Sequence, residues 1–142
     1  MITRIIINKM KEVQNRQTEQ RKVILEEIQK VKTHPTASEI HKMVLKKMPG
    51  IGLATVYRNL DFLEKKNLVI KLKTKKNESR YDGDISKHCH LICRECGHIV
   101  DIFDVKEFHI KSKQLEDCEF RIDWSNLEIH GICKNCIKPK KT

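Results

Sequence analysis

The stretch from Lys87 to Asp101, KHCHLICRECGHIVD, concentrates side chains that bind metal ions. It holds three cysteines, three histidines and an aspartate within fifteen residues, in a chain that has six cysteines in all. Thiolates favour zinc, whereas imidazoles and carboxylates favour iron or manganese, so the mixture can serve one metal site or two. Which of these it is depends on the spacing of the donors and on the rest of the chain.

The cysteines of this stretch have a spaced counterpart near the end of the chain. Cys93-x-x-Cys96 and Cys133-x-x-Cys136 share one spacing and are separated by 36 residues. Two such turns offer four thiolates, the closed tetrahedral set of structural Zn²⁺. Disulfides are the alternative. No signal-peptide core or membrane span is present, so we expect a cytoplasmic protein with reduced thiols and a structural zinc site.

The histidines indicate a second, chemically different site. His88 and His90 alternate across Cys89, so on a strand both imidazoles project to one face and the thiol to the other. Asp101 lies on the next predicted strand. This pattern predicts a nitrogen- and oxygen-ligated metal, with a purely structural histidine pair as the alternative.

The N-terminal half predicts a winged helix-turn-helix. Hydrophobic periodicity gives three helices, the second of them begun by a Thr36–Glu39 capping box, and a hairpin follows the third helix. The predicted helices are residues 18–31, 37–47 and 53–67, and the predicted hairpin strands are residues 68–73 and 80–84.

The third helix has the composition of a DNA-recognition helix. Val56, Leu60 and Leu63 share the face expected to pack in the core, and Arg58 lies opposite, with Tyr57 further round. An exposed donor and an apolar group near the start of a helix can read base edges in the major groove. The alternatives are that Tyr57 packs on the hairpin and that Lys75 and Lys76, at the tip of the hairpin, are merely solvated. The predicted DNA-contacting residues are Arg21, Thr55, Tyr57, Arg58, Lys75 and Lys76.

The charge distribution agrees with this assignment and with a division into two domains. Residues 1–84 carry 19 basic and 10 acidic residues, a net +9, whereas residues 85–142 carry 10 and 9, a net +1. We expect a DNA-binding domain over residues 1–84 and a small zinc domain over residues 85–142. Because the second domain is too short to bury a sufficient core, we expect it to need a bound metal ion for stability. In this second domain the pattern predicts strands over 88–93 and 98–104, a helix over 105–118 and further strand over 119–133.

An enzyme is not expected. The chain has no glycine-rich phosphate-binding loop, and Cys118 lies in an acidic stretch that would raise the pKa of its thiol rather than activate it. A structural zinc-ribbon adaptor is a further alternative, but it leaves the N-terminal half without a role.

Several motifs in combination resemble the ferric-uptake-regulator (Fur) family of metal-dependent repressors. The motifs are R-x-T-x-Q-R from Arg16 to Arg21, HPTA, LATVYRNL, RYD, HCHLICRECG, IVD and GICKNC. The resemblance spans nearly all of residues 16–136. It implies an α+β protein with a winged-helix domain, a hinge near residues 79–86 and an α/β dimerisation domain, acting as a homodimer on palindromic operator DNA.

The resemblance also implies a regulatory site and a mode of sensing. The ligands of Fe²⁺ or Mn²⁺ would be His34, Asp82, His88, His90 and Asp101. Aspartate at position 101 is similar to the peroxide-responsive (PerR) branch, in which peroxide oxidises a ligand histidine and releases metal and operator; His34 and His88 match the oxidised positions. An iron- or zinc-responsive repressor without peroxide sensing is the alternative, and Cys89 between two ligand histidines is the feature that favours zinc. No membrane and no small organic substrate are expected as partners.

Overall fold

The computed structural model describes residues 2–105, 111–120 and 126–138, except for the side chains of Ile2, Thr3 and Lys76. The chain divides into two compact units. The first comprises Met1–Lys73 with Asn77–Ile85, and the second comprises Thr74–Lys76 with Ser86–Thr142. The assignment of DNA binding to one part and dimerisation to the other stays a prediction.

The first helix, α1, runs from Ile2 to Gln29. The prediction that it begins at residue 18 was wrong, because residues 2–29 contain no glycine or proline that would interrupt a helix. The apolar periodicity indicated only the part that is buried, where Val23, Ile24 and Ile28 enter the core. Residues 4–19 are exposed along the whole of the added length.

The second and third helices, α2 (Ala37–Leu45) and α3 (Leu53–Lys65), form close to where the sequence predicts them. The capping box at the start of α2 is confirmed: the Thr36 hydroxyl accepts from the Glu39 amide at 3.2 Å, and the Glu39 carboxylate accepts from the Thr36 amide at 2.8 Å. These bonds satisfy amides that no helical carbonyl can reach.

Removal of this cap has a calculable effect. We expect Thr36→Ala to lower the free energy of unfolding of the first unit by about 1 kcal/mol, the usual cost of losing an N-cap side chain. Ser38→Ala, at an exposed position in the first turn of the same helix, is the matched control. Urea unfolding followed by circular dichroism measures both variants, and equal stabilities would contradict the role of the cap.

The wing is a two-stranded antiparallel hairpin of β1 (Ile70–Lys73) and β2 (Ser79–Asp82), joined through a 3₁₀ turn at Lys75–Asn77. Buried side chains of α1, α2, α3 and the hairpin, with one from the loop before α3 and one from the residue before β1, make one hydrophobic core. It contains Val23, Ile24, Ile28, Ala37, Ile40, Val44, Ile51, Val56, Leu60, Leu63, Val69 and Tyr81. Three helices followed by this hairpin confirm the winged-helix prediction.

The second unit contains a three-stranded sheet in the order β4-β3-β5. β3 (Cys89–Cys93) pairs antiparallel with β4 (Ile99–Ile102) and parallel with β5 (Glu128–Gly131). A short helix, α4 (Lys113–Asp117), precedes β5. The fold class, α+β, is as predicted.

Two predictions for the second unit fall partly outside the described residues. The helix predicted over 105–118 is present at Lys113–Asp117, and residues 106–110 are not described. The strand predicted over 119–133 is present at Glu128–Gly131, residues 119–120 are not in a strand, and residues 121–125 are not described. Within the described residues, no helix is both long and apolar enough to cross a membrane.

Candidate metal centres

Strand pairing brings the two Cys-x-x-Cys turns together. β3 ends at Cys93, opposite Gly131 on the parallel strand β5, and the Arg94 amide donates to the Gly131 carbonyl at 2.8 Å. The first turn closes where the Gly97 amide donates to the Cys93 carbonyl at 2.9 Å, with Gly97 at a left-handed φ of 76° that glycine adopts freely. The second turn closes where the Cys136 amide donates to the Cys133 carbonyl at 2.9 Å.

The four thiols form one cluster. One sulfur from each of Cys93, Cys96, Cys133 and Cys136 lies within 4.8 Å of all the others, and none of the four is in a disulfide. The sulfurs of Cys96 and Cys133 are 3.7 Å apart. In a tetrahedron with zinc–sulfur bonds of about 2.3 Å, two sulfurs lie about 3.8 Å apart, so the spacing fits Zn²⁺.

Backbone amides make the cluster suited to thiolates. The Cys133 amide donates to the Cys93 sulfur at 3.3 Å, and this bond, together with those from the Cys96 and Glu95 backbone, lowers the pKa of Cys93 to about 6. Hydrogen bonds with the neighbouring thiols of Cys133 and Cys96 raise the pKa of Cys136 to about 12. A cation at the centre would lower it again, since a coordinating thiol loses its proton.

The second unit also places two histidines around one carboxylate. Register pairs His90 with Asp101 across β3 and β4, and the Nε2 atom of His90 lies 3.5 Å from Asp101 Oδ1. The Nε2 atom of His88, the residue before β3, lies 3.7 Å from the same oxygen. Both imidazoles are fully buried, and Asp101 is partly exposed. The prediction that these three side chains share a face agrees with this geometry.

The first unit contributes a separate histidine–carboxylate pair. His34, in the loop before α2, has a left-handed φ of 52°, and its Nε2 atom lies 3.4 Å from Oδ2 of Asp82 at the end of β2. The other Asp82 oxygen, Oδ1, accepts from the Asp84 amide at 2.8 Å. Both side chains are buried.

The spacing of these nitrogen and oxygen donors fits co-ligands of a metal ion. The three imidazole–carboxylate distances of 3.4–3.7 Å exceed the 2.7–3.2 Å usual for a hydrogen bond. Two ligands of one ion at about 2.1 Å each lie about 3 Å apart or slightly more. Imidazole and carboxylate donors without sulfur suit Fe²⁺ or Mn²⁺.

Three groups beside these candidate ligands were not predicted from the sequence. The Ser86 carbonyl lies 2.6 Å from His88 Nδ1, Phe103 stacks on the His88 ring with centroids 4.8 Å apart, and the Asp84 amide holds Asp82. Backbone groups carry no residue-type signal. Phe103, however, follows Asp101 by two residues, and strand alternation alone would have placed it on the same face.

The predicted reading surface on α3 is open to solvent. Tyr57 is 48% exposed, and Arg58 is exposed with its Nη2 atom donating to the Thr55 hydroxyl at 3.1 Å. This bond holds the guanidinium along the start of the helix. Val56 on the opposite side is fully buried, as expected for a helix with one core face.

The remaining predicted DNA contacts have intramolecular partners or are not described. The Arg21 guanidinium lies over the Phe62 ring, 3.7 Å from its centroid, a cation–π contact that holds it against the helical core. Within the second unit, the Lys75 amine donates to the Glu95 carbonyl at 2.6 Å. The side chain of Lys76 lies outside the described residues.

A winged helix with an exposed recognition surface, a four-thiol cluster, and imidazole–carboxylate donors in each unit define the class of metal-responsive DNA-binding regulators. Comparison with known proteins gives the family. Residues 12–136 match the ferric uptake regulator family. The chain belongs to this family, whose members are transcription regulators, and this confirms the resemblance noted from the motifs and the expectation that the protein is not an enzyme.

Both sequence and structure relatives include peroxide regulators. The chain is 36% identical over 129 residues to the peroxide operon regulator of Bacillus subtilis strain 168, covering 91% of this chain and 89% of that protein. The Campylobacter jejuni peroxide stress regulator superposes with a TM-score of 0.74 at 27% identity, covering 92% and 98%. The Helicobacter pylori ferric uptake regulator, described as having three functional metal-binding sites, gives 0.69 at 27% identity, covering 92% and 90%.

Proposed function

We propose that this protein is a dimeric repressor that binds operator DNA when a regulatory Fe²⁺ or Mn²⁺ is bound and releases it when peroxide oxidises a ligand histidine. The observation that carries this proposal is the imidazole–carboxylate set in each unit, with every imidazole buried, in a family of metal-responsive repressors. The similarity to peroxide regulators over most of the chain supports the peroxide branch.

We assign five side chains to the regulatory ion: His34, Asp82, His88, His90 and Asp101. Two of them lie in the first unit and three in the second. An ion bound by all five would restrict the relative orientation of the units and so favour the state that fits DNA. The metal ion must bind the DNA-competent state more tightly than the state that does not bind DNA, because only a difference in affinity shifts the equilibrium between them.

We assign the four-cysteine cluster to a structural Zn²⁺. Its role is to hold β3 and β5 together through the Cys-x-x-Cys turns at the ends of these two strands. Four sulfur ligands fill the coordination sphere of Zn²⁺, so no position is open to a small molecule that could be sensed. The two predicted sites thus take different metals because their donors differ.

We assign dimerisation to the outer face of the β4-β3-β5 sheet. Leu91, Val100 and Ile129, which alternate with the ligand-bearing face, are 37%, 40% and 43% exposed. They line a groove of about 350 Å³ together with Ile132. A second copy covering this face would give a homodimer whose two recognition helices read the halves of a palindrome about one turn of DNA apart.

The Ser86 carbonyl orients His88, one of the two histidines proposed to be oxidised. The Ser86 carbonyl fixes the tautomer of His88 by accepting from Nδ1, which leaves Nε2 as the metal-facing nitrogen. When bound, Fe²⁺ would promote the transfer of one oxygen atom from hydrogen peroxide to a ligand imidazole by exchanging single electrons, which Mn²⁺ would not. The imidazole is oxidised by two electrons in this reaction, and the other oxygen of the peroxide leaves as water. A ligand imidazole that gains an oxygen loses its basicity, and with it the contact that links metal to DNA binding.

The test is an anaerobic comparison of the two metal forms. Purified protein is loaded with Fe²⁺ or Mn²⁺, exposed to a small excess of hydrogen peroxide, and analysed as tryptic peptides by mass spectrometry. We expect the mass of one oxygen on the peptides bearing His34 or His88 in the iron form only. His34 and His41 share the tryptic peptide of residues 33–42, so fragment spectra must place the oxygen on one ring or the other. His41, whose ring contacts the Ile51 carbonyl away from the proposed ligands, is the internal control within that peptide. Unmodified peptides in an iron form that retains DNA would contradict peroxide sensing.

A zinc-responsive repressor is the second candidate. It depends on whether the Cys89 thiol is a ligand of the regulatory metal. Cys89 lies on β3 opposite Ile102 and is 2% exposed, whereas the ligand-bearing position His90 is opposite Asp101. We therefore expect Cys89→Ser to leave the order of metal affinities unchanged, as measured by competition titration with Mn²⁺ and Zn²⁺. A selective loss of Zn²⁺ affinity at the regulatory site would support the zinc sensor instead.

A further inference from the structure

The residue after Asp82 approaches the end of α1 too closely for a side chain. A Cβ atom at Gly83 would lie 3.0 Å from the Gln29 backbone nitrogen, 3.1 Å from its Cα and 3.1 Å from its Cγ. Gly83 is buried, and two of these three atoms belong to backbone that cannot rotate away. A methyl group here requires the chain that follows β2 and the end of α1 to separate by a few tenths of an ångström.

This contact lies beside the two ligands of the first unit. Gln29 ends α1, five residues before His34, and Gly83 directly follows Asp82. On the other side of the ligands, the Tyr81 amide donates to the Pro35 carbonyl at 3.0 Å, and Arg80 forms an isolated antiparallel bridge with Thr36. The two segments that carry the proposed ligands are therefore joined by hydrogen bonding on one side of the ligands and packed closely against each other on the other side.

The displacement that a side chain at Gly83 would require is at least as large as the variation in ligand distance that a metal ion tolerates. His34 Nε2 and Asp82 Oδ2 are 3.4 Å apart, and the left-handed φ of His34 leaves its backbone little room to adjust. Metal–ligand bonds are defined to within about 0.2 Å. A shift of a few tenths of an ångström at Gly83 would therefore change the separation of His34 and Asp82 enough to affect metal binding.

We propose that Gly83 is a positioning residue for the regulatory metal: its lack of a side chain lets β2 close onto α1 and sets the separation of His34 and Asp82. This inference rests on the proposed function, because it assumes that these two side chains are ligands. Gly83 acts through packing within the first unit and makes no contact with the ion.

The experiment is a Mn²⁺ titration of the zinc-containing protein, followed by electron paramagnetic resonance of free Mn²⁺. We expect Gly83→Ala to raise the dissociation constant about tenfold, the lower end of the effect of losing an outer-shell support. Gly50→Ala is the matched control, since a Cβ at Gly50 meets nothing within 4 Å. Zinc content and the unfolding midpoint of the Mn²⁺-free protein are measured on each variant.

A second variant separates positioning from general damage. Gln29→Gly removes the Cγ contact and lets the helix end shift, so Gly83→Ala in that background should recover part of the lost affinity. An unchanged dissociation constant for Gly83→Ala, or a lowered unfolding midpoint with unchanged Mn²⁺ affinity, would overturn the inference. Absence of Mn²⁺ binding by the parent protein would instead overturn the proposed function.

Discussion

Replacing Cys96 with serine is expected to abolish zinc retention and unfold the second unit while the first unit stays folded. Cys96 is exposed, so losing its sulfur costs little packing and the effect reports its role as a ligand. A structural Zn²⁺ contributes on the order of 10 kcal/mol, comparable to the whole net stability of a domain, which is about 5–15 kcal/mol. The three remaining thiols cannot restore a closed tetrahedral set.

Cys118→Ser is the matched control for this result. Cys118 is also exposed, and its thiol donates to the Leu115 carbonyl within the last turn of α4, a contact that a serine hydroxyl can replace. Zinc per chain and hydrogen exchange of the amides of β3 and α3 measure the two units separately. Protected β3 amides and full zinc content in Cys96→Ser would show that the cluster does not hold the sheet.

The second large effect is expected from Asp101→Asn. One oxygen of Asp101 lies 3.5 Å from His90 Nε2 and 3.7 Å from His88 Nε2, so this carboxylate is central to the donors of the second unit. The substitution keeps the shape of the side chain and removes its charge. We expect Mn²⁺ affinity to fall by more than the roughly 10- to 100-fold that an outer-shell loss costs, and metal-dependent DNA binding to fall with it.

Asp104→Asn provides the control for charge and position. Asp104 is exposed, lies three residues further along the chain, and has a φ of 61°, a conformation that asparagine tolerates. Isothermal titration with Mn²⁺ compares the two variants under the same salt. Equal affinities would remove Asp101 from the proposed ligand set.

The parts of the fold that local chemistry decides could be predicted from the sequence. The capping box of Thr36 and Glu39 and the core face of α3 depend on neighbours within one or two turns, and both form as expected. The Cys-x-x-Cys spacing likewise predicts which sulfurs can meet. The parallel pairing of β3 with β5 that brings them together involves residues far apart in sequence, and the pattern gave no register for it.

The errors and omissions have physical causes as well. The start of α1 was predicted too late because exposed residues leave no periodic burial signal, although nothing in residues 2–17 stops a helix. The partners of Arg21 and Lys75 depend on which surfaces pack nearby, and a basic side chain looks the same in sequence whether it meets DNA, the Phe62 ring or a carbonyl. Gly83 reads in sequence as an ordinary turn residue, and its close approach to Gln29 appears only in three dimensions.

The most direct test of metal-switched, peroxide-released repression is DNA affinity, measured by fluorescence anisotropy at one fixed salt concentration. The probe is a labelled duplex carrying an inverted repeat enriched from randomised DNA, and the zinc-containing protein is compared without further metal, with Mn²⁺ and with Fe²⁺, before and after peroxide. We expect either metal to tighten binding by about 100-fold, within the range of allosteric coupling, and peroxide to reverse this in the iron form alone. Equal affinity with and without metal would contradict the account, and so would equal peroxide sensitivity of the Mn²⁺ and Fe²⁺ forms.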